Sequence, residues 1–476
     1  MTSPEGSEPA RLRRELGAFD FTLLVIGAVV GADVYIVGAM GAGFLGPAQL
    51  VAWLVAGVLA AIIALAFVQC AAICPEVGGS YAYARAAFGP LVGFLAGWAL
   101  YLAEWVALPV FPLSFVNHLG YFLPGLSTMD RSLVKILLIA AVTLVNLIGV
   151  RAGGLANDIL TVAKLLPLGL LIVVELIFAV VRSDLTAGHL LPFAPLGWSG
   201  FGSAVLLIFW AYGGFELAVL PASEVRDPRR TLPHGLVVGM AISSVFYVLT
   251  SFAVVAALPW RDAAASTRPL VDAMGSMLAG LRVPTTLGLG LMSLGGLISI
   301  ASVYEVFTLT LARLSYAMAH DGLLPPAFAR VDGRFGTPYV GVLFQAGSAL
   351  VLALLFDLTD LIAIAMFFLG LCYAVTALAA RRLIKRTPDQ QLHLPALRVA
   401  LLLAVLSGVY LSSQAPPRLV AIGLTAMLGG LALFAWRGGG WQRKARRQAE
   451  LEHGEHPVDE RTHRDELWLL RLVRRR

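Results

Sequence analysis

The chain has 476 residues, of which 58% are hydrophobic and only 13% charged, and its mean hydropathy is +0.82. That composition excludes a soluble globular domain and points to an all-α polytopic membrane protein. The formal charge of +6 does not point to nucleic acid, because the arginines sit between apolar runs, and Cys70, Cys74 and Cys372 lie in or at the ends of such runs, where no disulfide framework is expected.

Residues 1–17 are polar and carry Arg11, Arg13 and Arg14. The apolar run after them is too long for a signal-peptide core and has no cleavage site, so it reads as a first span. At roughly 20 apolar residues per crossing, spans are expected near 18–45, 48–72, 87–122, 132–150, 157–182, 200–224, 234–258, 284–318, 338–356, 358–384, 397–413 and 418–436. Basic residues fall on alternate sides of these twelve spans. Arg85, Arg151, Arg226, Arg229, Arg230, Arg330, Arg334, Arg381, Arg382, Lys385 and Arg386 share one side with the N-terminus, and the longer 259–283 loop lies on the other. Bases mark the cytoplasmic side, so both termini are expected there, in a cell (plasma) membrane. The charged tail, 437–476, is expected to be solvated, with its Leu-Trp-Leu-Leu-Arg-Leu-Val-Arg-Arg-Arg end lying on anionic lipid.

Two spans contain glycine interruptions. The first holds Gly27, Gly31 and Asp33, and the sixth reads Phe209-Trp-Ala-Tyr-Gly-Gly-Phe-Glu216. Interrupted spans at matching places in two halves point to a transporter with inverted repeats and a midplane site. The halves are expected over 18–182 and 200–384, followed by two further spans over 397–436. A break in the first span frees amide N–H groups that favour an anion, yet Asp33 places a carboxylate there. Asp33 is either the cap of the second half-helix or a counter-ion for a substrate ammonium or a proton carrier, and these roles are compatible.

Ionisable groups deep in a span are functional candidates. Glu216 is a candidate proton site. Trp210 is either a lid over substrate, able to make a cation–π contact, or an ordinary core aromatic. Lys164 lies inside the fifth span of a chain that otherwise favours arginine. Lysine can give up its proton when buried, so Lys164 reads either as an internal cation in place of a bound sodium ion or as a side chain snorkelling to the cytoplasmic face. Glu104 and Glu305 are further deep acids expected to face the interior. Glu175 is expected near the membrane interface. Four carboxyls sharing one cavity would suit a cation and could not all stay ionised when it is empty.

These stretches resemble the amino acid–polyamine–organocation superfamily of transporters. The likeness is carried by Ile26-Gly-Ala-Val-Val-Gly-Ala-Asp33, by Pro75-Glu-Val-Gly-Gly-Ser-Tyr-Ala-Tyr83, and by Phe209 to Pro233 with Ser223-Glu-Val-Arg-Asp-Pro-Arg-Arg-Thr-Leu-Pro233. Ala319-His-Asp-Gly-Leu-Leu-Pro325, followed by Gly336-Thr-Pro338, adds to it. It covers about residues 16–436. It implies a five-plus-five inverted repeat of the leucine-transporter fold with two extra helices, and amino acids or related amines as substrates. Gly31 and Ala32 match positions whose backbone meets substrate, and Trp210 matches a gating aromatic. Glu216 matches a sixth-span acid, and Lys164 the lysine of proton-coupled members. Glu104 and Phe307 fall where the third and eighth spans line the pocket. Val29, Gly213, Gly214 and Glu305 complete the expected lining. Asp33 departs from the family pattern, in which a glycine ends the motif. It would repel a substrate carboxylate unless protonated, which favours an amine or a basic amino acid held differently.

The leading expectation is a proton-coupled secondary transporter of an amino acid or amine, with a cationic substrate favoured. A neutral amino acid permease or an exchanger is the alternative. A channel would need a continuous polar pore, whereas the acids here are isolated on separate spans. An enzyme would need a nucleophile or metal cluster, whereas the eight histidines are scattered. No metal or other cofactor is expected. The expected partners are a small-molecule substrate, protons and membrane lipid.

Overall fold

The computed structural model describes residues 17–74, 78–148, 154–218, 225, 227–320, 322–332, 335, 337–392 and 396–452, and every element among them is helical. In chain order the first ten α-helices are α1 (Ala18–Val29), α2 (Asp33–Val37), α3 (Ala42–Leu45), α4 (Gln49–Ile73), α5 (Ser80–Phe88), α6 (Pro90–Ala107), α7 (Val110–Leu119), α8 (Thr128–Ile148), α9 (Gly154–Val181) and α10 (Ser183–Leu190). They continue as α11 (Phe201–Phe209), α12 (Phe215–Ala218), α13 (Pro228–Ala257), α14 (Trp260–Ala265), α15 (Pro269–Gly280), α16 (Thr286–His320), α17 (Tyr339–Leu355), α18 (Leu358–Arg386), α19 (Leu397–Ser413) and α20 (Pro417–Glu452). Arg11, Arg13, Arg14, Arg151, Arg226 and Arg334, residues 75–77 of the second quoted motif, residues 219–224 of the sixth span and the expected amphipathic end of the tail lie outside the described residues.

Helices are the natural solution here, because lipid offers no partner for a backbone amide or carbonyl and each must be satisfied within its own segment. Among the described residues, eight stretches are long and apolar enough to cross a membrane: Ala42–Ile73, Pro90–Leu119, Thr128–Ile148, Lys164–Val181, Arg230–Ala257, Thr286–His320, Leu358–Arg386 and Pro417–Trp436. Shorter apolar helices at Phe21–Val37, Phe201–Tyr212, Tyr339–Leu355 and Leu397–Ser413 stand where the other expected crossings fall. The first crossing is shorter than expected. It stops at Val37, because Gly38 to Gly41 form a turn, and Ala42–Leu45 leads instead through a 3₁₀ turn into α4. Residues 259–283 are not a simple loop either. They fold into α14 and α15, and α15 buries Leu270, Val271, Met274 and Met277 against α9, α13 and α16.

The tenth crossing, α18, lies at the centre. Its apolar window is 83% buried, against 17% for α8 and for α20, which present their leucines and valines to lipid. α18 packs on α4, α5, α6 and α19, while α13 packs on α1, α4 and α9. Between these two groups an aromatic core forms. Phe67 makes edge contacts with Tyr83, Phe215 and Tyr373, and Tyr212 stands edge-on to Tyr247 at 5.1 Å. Such ring pairs add about 0.5–1.5 kcal/mol each beyond area burial. They bring the sixth crossing against the second, seventh and tenth.

Candidate substrate site at two interrupted helices

The first interruption arises where α1 ends at Val29 and Val30, Gly31 and Ala32 leave the helical path before α2 restarts at Asp33. Val30 N–H donates to Ile26 O at 2.7 Å and Tyr35 N–H donates to Ala32 O at 3.0 Å, but no described backbone carbonyl accepts from Gly31, Ala32 or Asp33. Ala32, not Asp33, holds the cap position, and no side chain caps the helix. The capping reading of Asp33 is therefore corrected: it is the first helical residue of α2, and its carboxyl lies over its own amide, beside Trp210. α2 has only five residues, so it adds little macrodipole; the Gly31 amide meets the Tyr247 hydroxyl and the Asp33 amide its own carboxyl.

The second interruption follows the 3₁₀ turn Trp210–Tyr212, where Gly213 and Gly214 separate α11 from α12. Gly214 has φ +104°, a region that side chains avoid, and a Cβ there would collide with the Ala28 carbonyl oxygen. The two breaks therefore touch. Tyr247 of α13 joins them: its hydroxyl, which has one proton to donate, lies 2.6 Å from Val29 O and 2.8 Å from Ala211 O. It thus serves a carbonyl from each interrupted segment.

Four ionisable side chains converge on this junction. Asp33, Glu104, Lys164 and Glu216 retain 6, 7, 7 and 4% exposure, so none reaches solvent freely. Asp33 lies within electrostatic reach of Lys164 and Glu216, and Glu104 within reach of Glu216 and Asp33. Lys164 is buried rather than snorkelling. The Glu216 carboxyl folds back on the amides of Gly214 and of Glu216 itself, beside the Tyr373 hydroxyl of α18. Glu216 Oε2, Tyr373 Oη and Asp33 Oδ1 nonetheless have no hydrogen-bond partner, and neither does Trp210 Nε1, which faces the Asp33 carboxyl without completing a bond. A buried polar group left unpaired costs about 1–3 kcal/mol. Several around one point mark a place that a polar guest would complete.

An aromatic wall closes the junction. Trp210 tilts on Phe111 of α7 at 6.4 Å, and Phe111 meets Phe307 edge-on at 5.1 Å and Tyr304 at 5.9 Å. α16 approaches Gly31 through Val303, whose Cγ2 would lie 3.1 Å from a Cβ on that glycine. Val303 and Phe307 are one turn apart, so they share a face toward the break. Val29 and Ala32 are fully buried, and Gly31 and Gly213 stand beside them.

One expectation is overturned. Glu305 does not join the acids. It falls on the stripe of α16 that carries exposed Leu287, Leu294 and Ile298, turned away from Val303 and Phe307. Its charged neighbour is Arg313, two turns along. Depth in a span does not set direction around the helix axis, and a long acid can reach for a base along its own helix. Glu175, in the outer part of the fifth crossing, faces the protein interior. It is fully buried, because Lys164, Leu168, Leu171, Glu175 and Phe178 share the face that α9 turns inward.

Tyr247 and Tyr373 went unnoticed in the sequence. A tyrosine in an apolar span is common, and what distinguishes these two is which backbone or acid from another span they meet.

A many-span helical membrane protein whose polar groups gather at a buried junction of two broken helices has the architecture of a carrier of small molecules. The amino acid permease family profile matches residues 16–424, and the chain belongs to that family, within the amino acid–polyamine–organocation superfamily. It is 28% identical over 395 residues to the branched-chain amino acid permease BcaP of Bacillus subtilis, covering 79% of this chain and 82% of that one. It is 26% identical over 402 residues to the serine/threonine exchanger SteT of Bacillus subtilis, covering 81% and 86%. It is also 28% identical over 397 residues to the vacuolar cationic amino acid transporter 4 of Arabidopsis thaliana, covering 79% of this chain and 64% of that longer one. These names span branched, hydroxylated and cationic substrates, so preference must be argued from the site.

Proposed function

We propose that the protein is a proton-coupled, alternating-access transporter of a cationic amino acid or organic amine. The observation that carries this reading is the set of three buried acids, Asp33, Glu104 and Glu216, gathered where the two breaks meet, with Lys164 the base within reach of Asp33. Acids outnumber bases in a dry pocket, where like charges cannot all persist without a compensating cation or protons. A substrate ammonium fits between Asp33 and Glu104. Asp33 stands beside the amides that would otherwise hold a carboxylate, which disfavours an ordinary α-carboxylate in that place. Glu216 and Lys164 exchange protons as the site turns from one face to the other. The five-plus-five repeat over 18–182 and 200–384, and a cytoplasmic location for both termini in the plasma membrane, belong to the same reading. The basic residues of alternate loops support it.

A thermal-shift screen of purified protein against amino acids, diamines and polyamines tests the substrate class, since a ligand that binds the folded form stabilises it by mass action. Cationic compounds should raise the melting temperature more than neutral amino acids, and Asp33→Asn should abolish that rise. Larger shifts with neutral amino acids, unaffected by Asp33→Asn, would exclude the amine reading.

A further inference from the structure

An interrupted helix frees backbone N–H groups, and several such groups together make a cradle for an anion. At both breaks the chain fills that cradle itself. At the first, the Gly31 amide meets the Tyr247 hydroxyl and the Asp33 amide meets the Asp33 carboxyl. Tyr247 is fully buried, and its hydroxyl also lies 2.6 Å from Val29 O and 2.8 Å from Ala211 O. Of the first-break amides this leaves that of Ala32 without a partner among the described residues, and a nest needs successive amides, not one. At the second break, the amides of Gly214 and Glu216 meet the Glu216 carboxyl. One carboxyl of the protein therefore sits at each break where the carboxylate of a guest would otherwise go. Lys164, the base within reach of Asp33, faces that acid.

What the junction leaves open asks for donors. Asp33 Oδ1 and Glu216 Oε2 are buried without partners, and a carboxylate oxygen only accepts. The unpartnered donors nearby, Trp210 Nε1 and Tyr373 Oη, already face Asp33 and Glu216 respectively. A primary ammonium brings donors and no acceptor, so it matches the free oxygens. An α-carboxylate brings acceptors alone. Beside Asp33 and Glu216 it meets like charge, and it finds the amides occupied. The rings of Trp210, Phe111, Phe307 and Tyr304 offer the rest of a guest an apolar wall and a cation–π face.

We propose that the site prefers amines without an α-carboxylate, the compounds that decarboxylation of an amino acid yields, over the parent amino acids, and that Asp33 sets this preference. Asp33 does so in two ways. Its carboxyl repels a second carboxylate, and it covers an amide that would hold one. Tyr247 adds to it by covering the Gly31 amide. The inference deepens the cationic reading above and rests on it: lysine still outranks leucine, and the amine made from lysine outranks both.

The test is ligand-induced stabilisation of the purified protein, titrated with matched pairs. Lysine is set against cadaverine, arginine against agmatine, and lysine against lysinamide, which keeps the α-ammonium and lacks the carboxylate. In wild type each carboxylate-free compound should reach half-maximal stabilisation at about a tenth of its partner's concentration or less. In Asp33→Ala, which keeps a good helix former at the start of α2, the difference within each pair should vanish. Leucine, whose carboxylate the uncovered amide can then accept, should stabilise that variant more than it stabilises wild type. Tyr247→Phe, which keeps Asp33, should narrow the pairs without closing them. If no cationic compound stabilises wild type more than leucine does, the cationic reading fails and this one with it. If lysine and arginine match or exceed cadaverine and agmatine in wild type, the preference for carboxylate-free amines alone is overturned, and that comparison needs no variant. If the amine advantage persists in folded Asp33→Ala, Asp33 does not set it and the assignment falls.

Discussion

The two breaks do the same job by different means. The sixth-crossing break depends on glycine: Gly214 has φ +104° and its Cα hydrogens lie against the Ala28 carbonyl. The first-crossing break has no such requirement. Gly31 is absent from the positive-φ positions, and a Cβ there would press only on the movable end of Val303. Its irregular backbone is held from outside, by the Tyr247 hydroxyl on Val29 O and by packing of α16. One break is thus fixed by the chain's own backbone. The other is conditional on its neighbours, and the conditional one carries Asp33.

The comparison can be broken most forcefully at Gly214. Gly214→Ala adds a clash to a disfavoured backbone, each costing about 1–3 kcal/mol, so purified protein should lose most of its folded yield or several degrees of melting temperature. Gly31→Ala should lose much less. Equal losses would refute the asymmetry. A smaller effect is expected at the clamp. Tyr247→Phe removes the one hydroxyl proton that Val29 O and Ala211 O share, at about 1–3 kcal/mol, and should lower the melting temperature while keeping ligand-induced stabilisation measurable. An unchanged melting temperature would show that the first break stands without Tyr247. The smallest effect belongs to the outlying acid. Glu305→Gln should leave uptake within about twofold of wild type, because its side chain lies on the stripe of Leu287, Leu294 and Ile298. Loss of uptake as deep as in Asp33→Asn would return Glu305 to the site.

Much of this was legible before any coordinates. A glycine pair in an apolar run, with an acid beside it, predicts a break that helices in lipid otherwise avoid, and both breaks stand where Gly31 and Gly213–Gly214 placed them. Asp33, Glu104, Glu216 and Lys164 were found by depth alone. Depth failed for Glu305, since burial also depends on the direction a residue faces around its helix. The signal was available in the seven- and four-residue spacing of Leu287, Leu294, Ile298 and Glu305, large aliphatics that mark a lipid-facing stripe. The same periodicity applied to α9 would have placed Glu175 inside with Lys164. Tyr247 and Tyr373 were beyond reach, because their meaning lies in carbonyls and an acid on other spans.

The most direct test of the central claim is accumulation of a radiolabelled substrate by proteoliposomes under an imposed pH gradient, acid outside. Lysine and leucine would be compared in wild type and in Lys164→Ala. The account predicts that wild type concentrates lysine well above leucine, and that Lys164→Ala abolishes gradient-driven accumulation of lysine. Preferential accumulation of leucine, or lysine accumulation unchanged by Lys164→Ala, would contradict it.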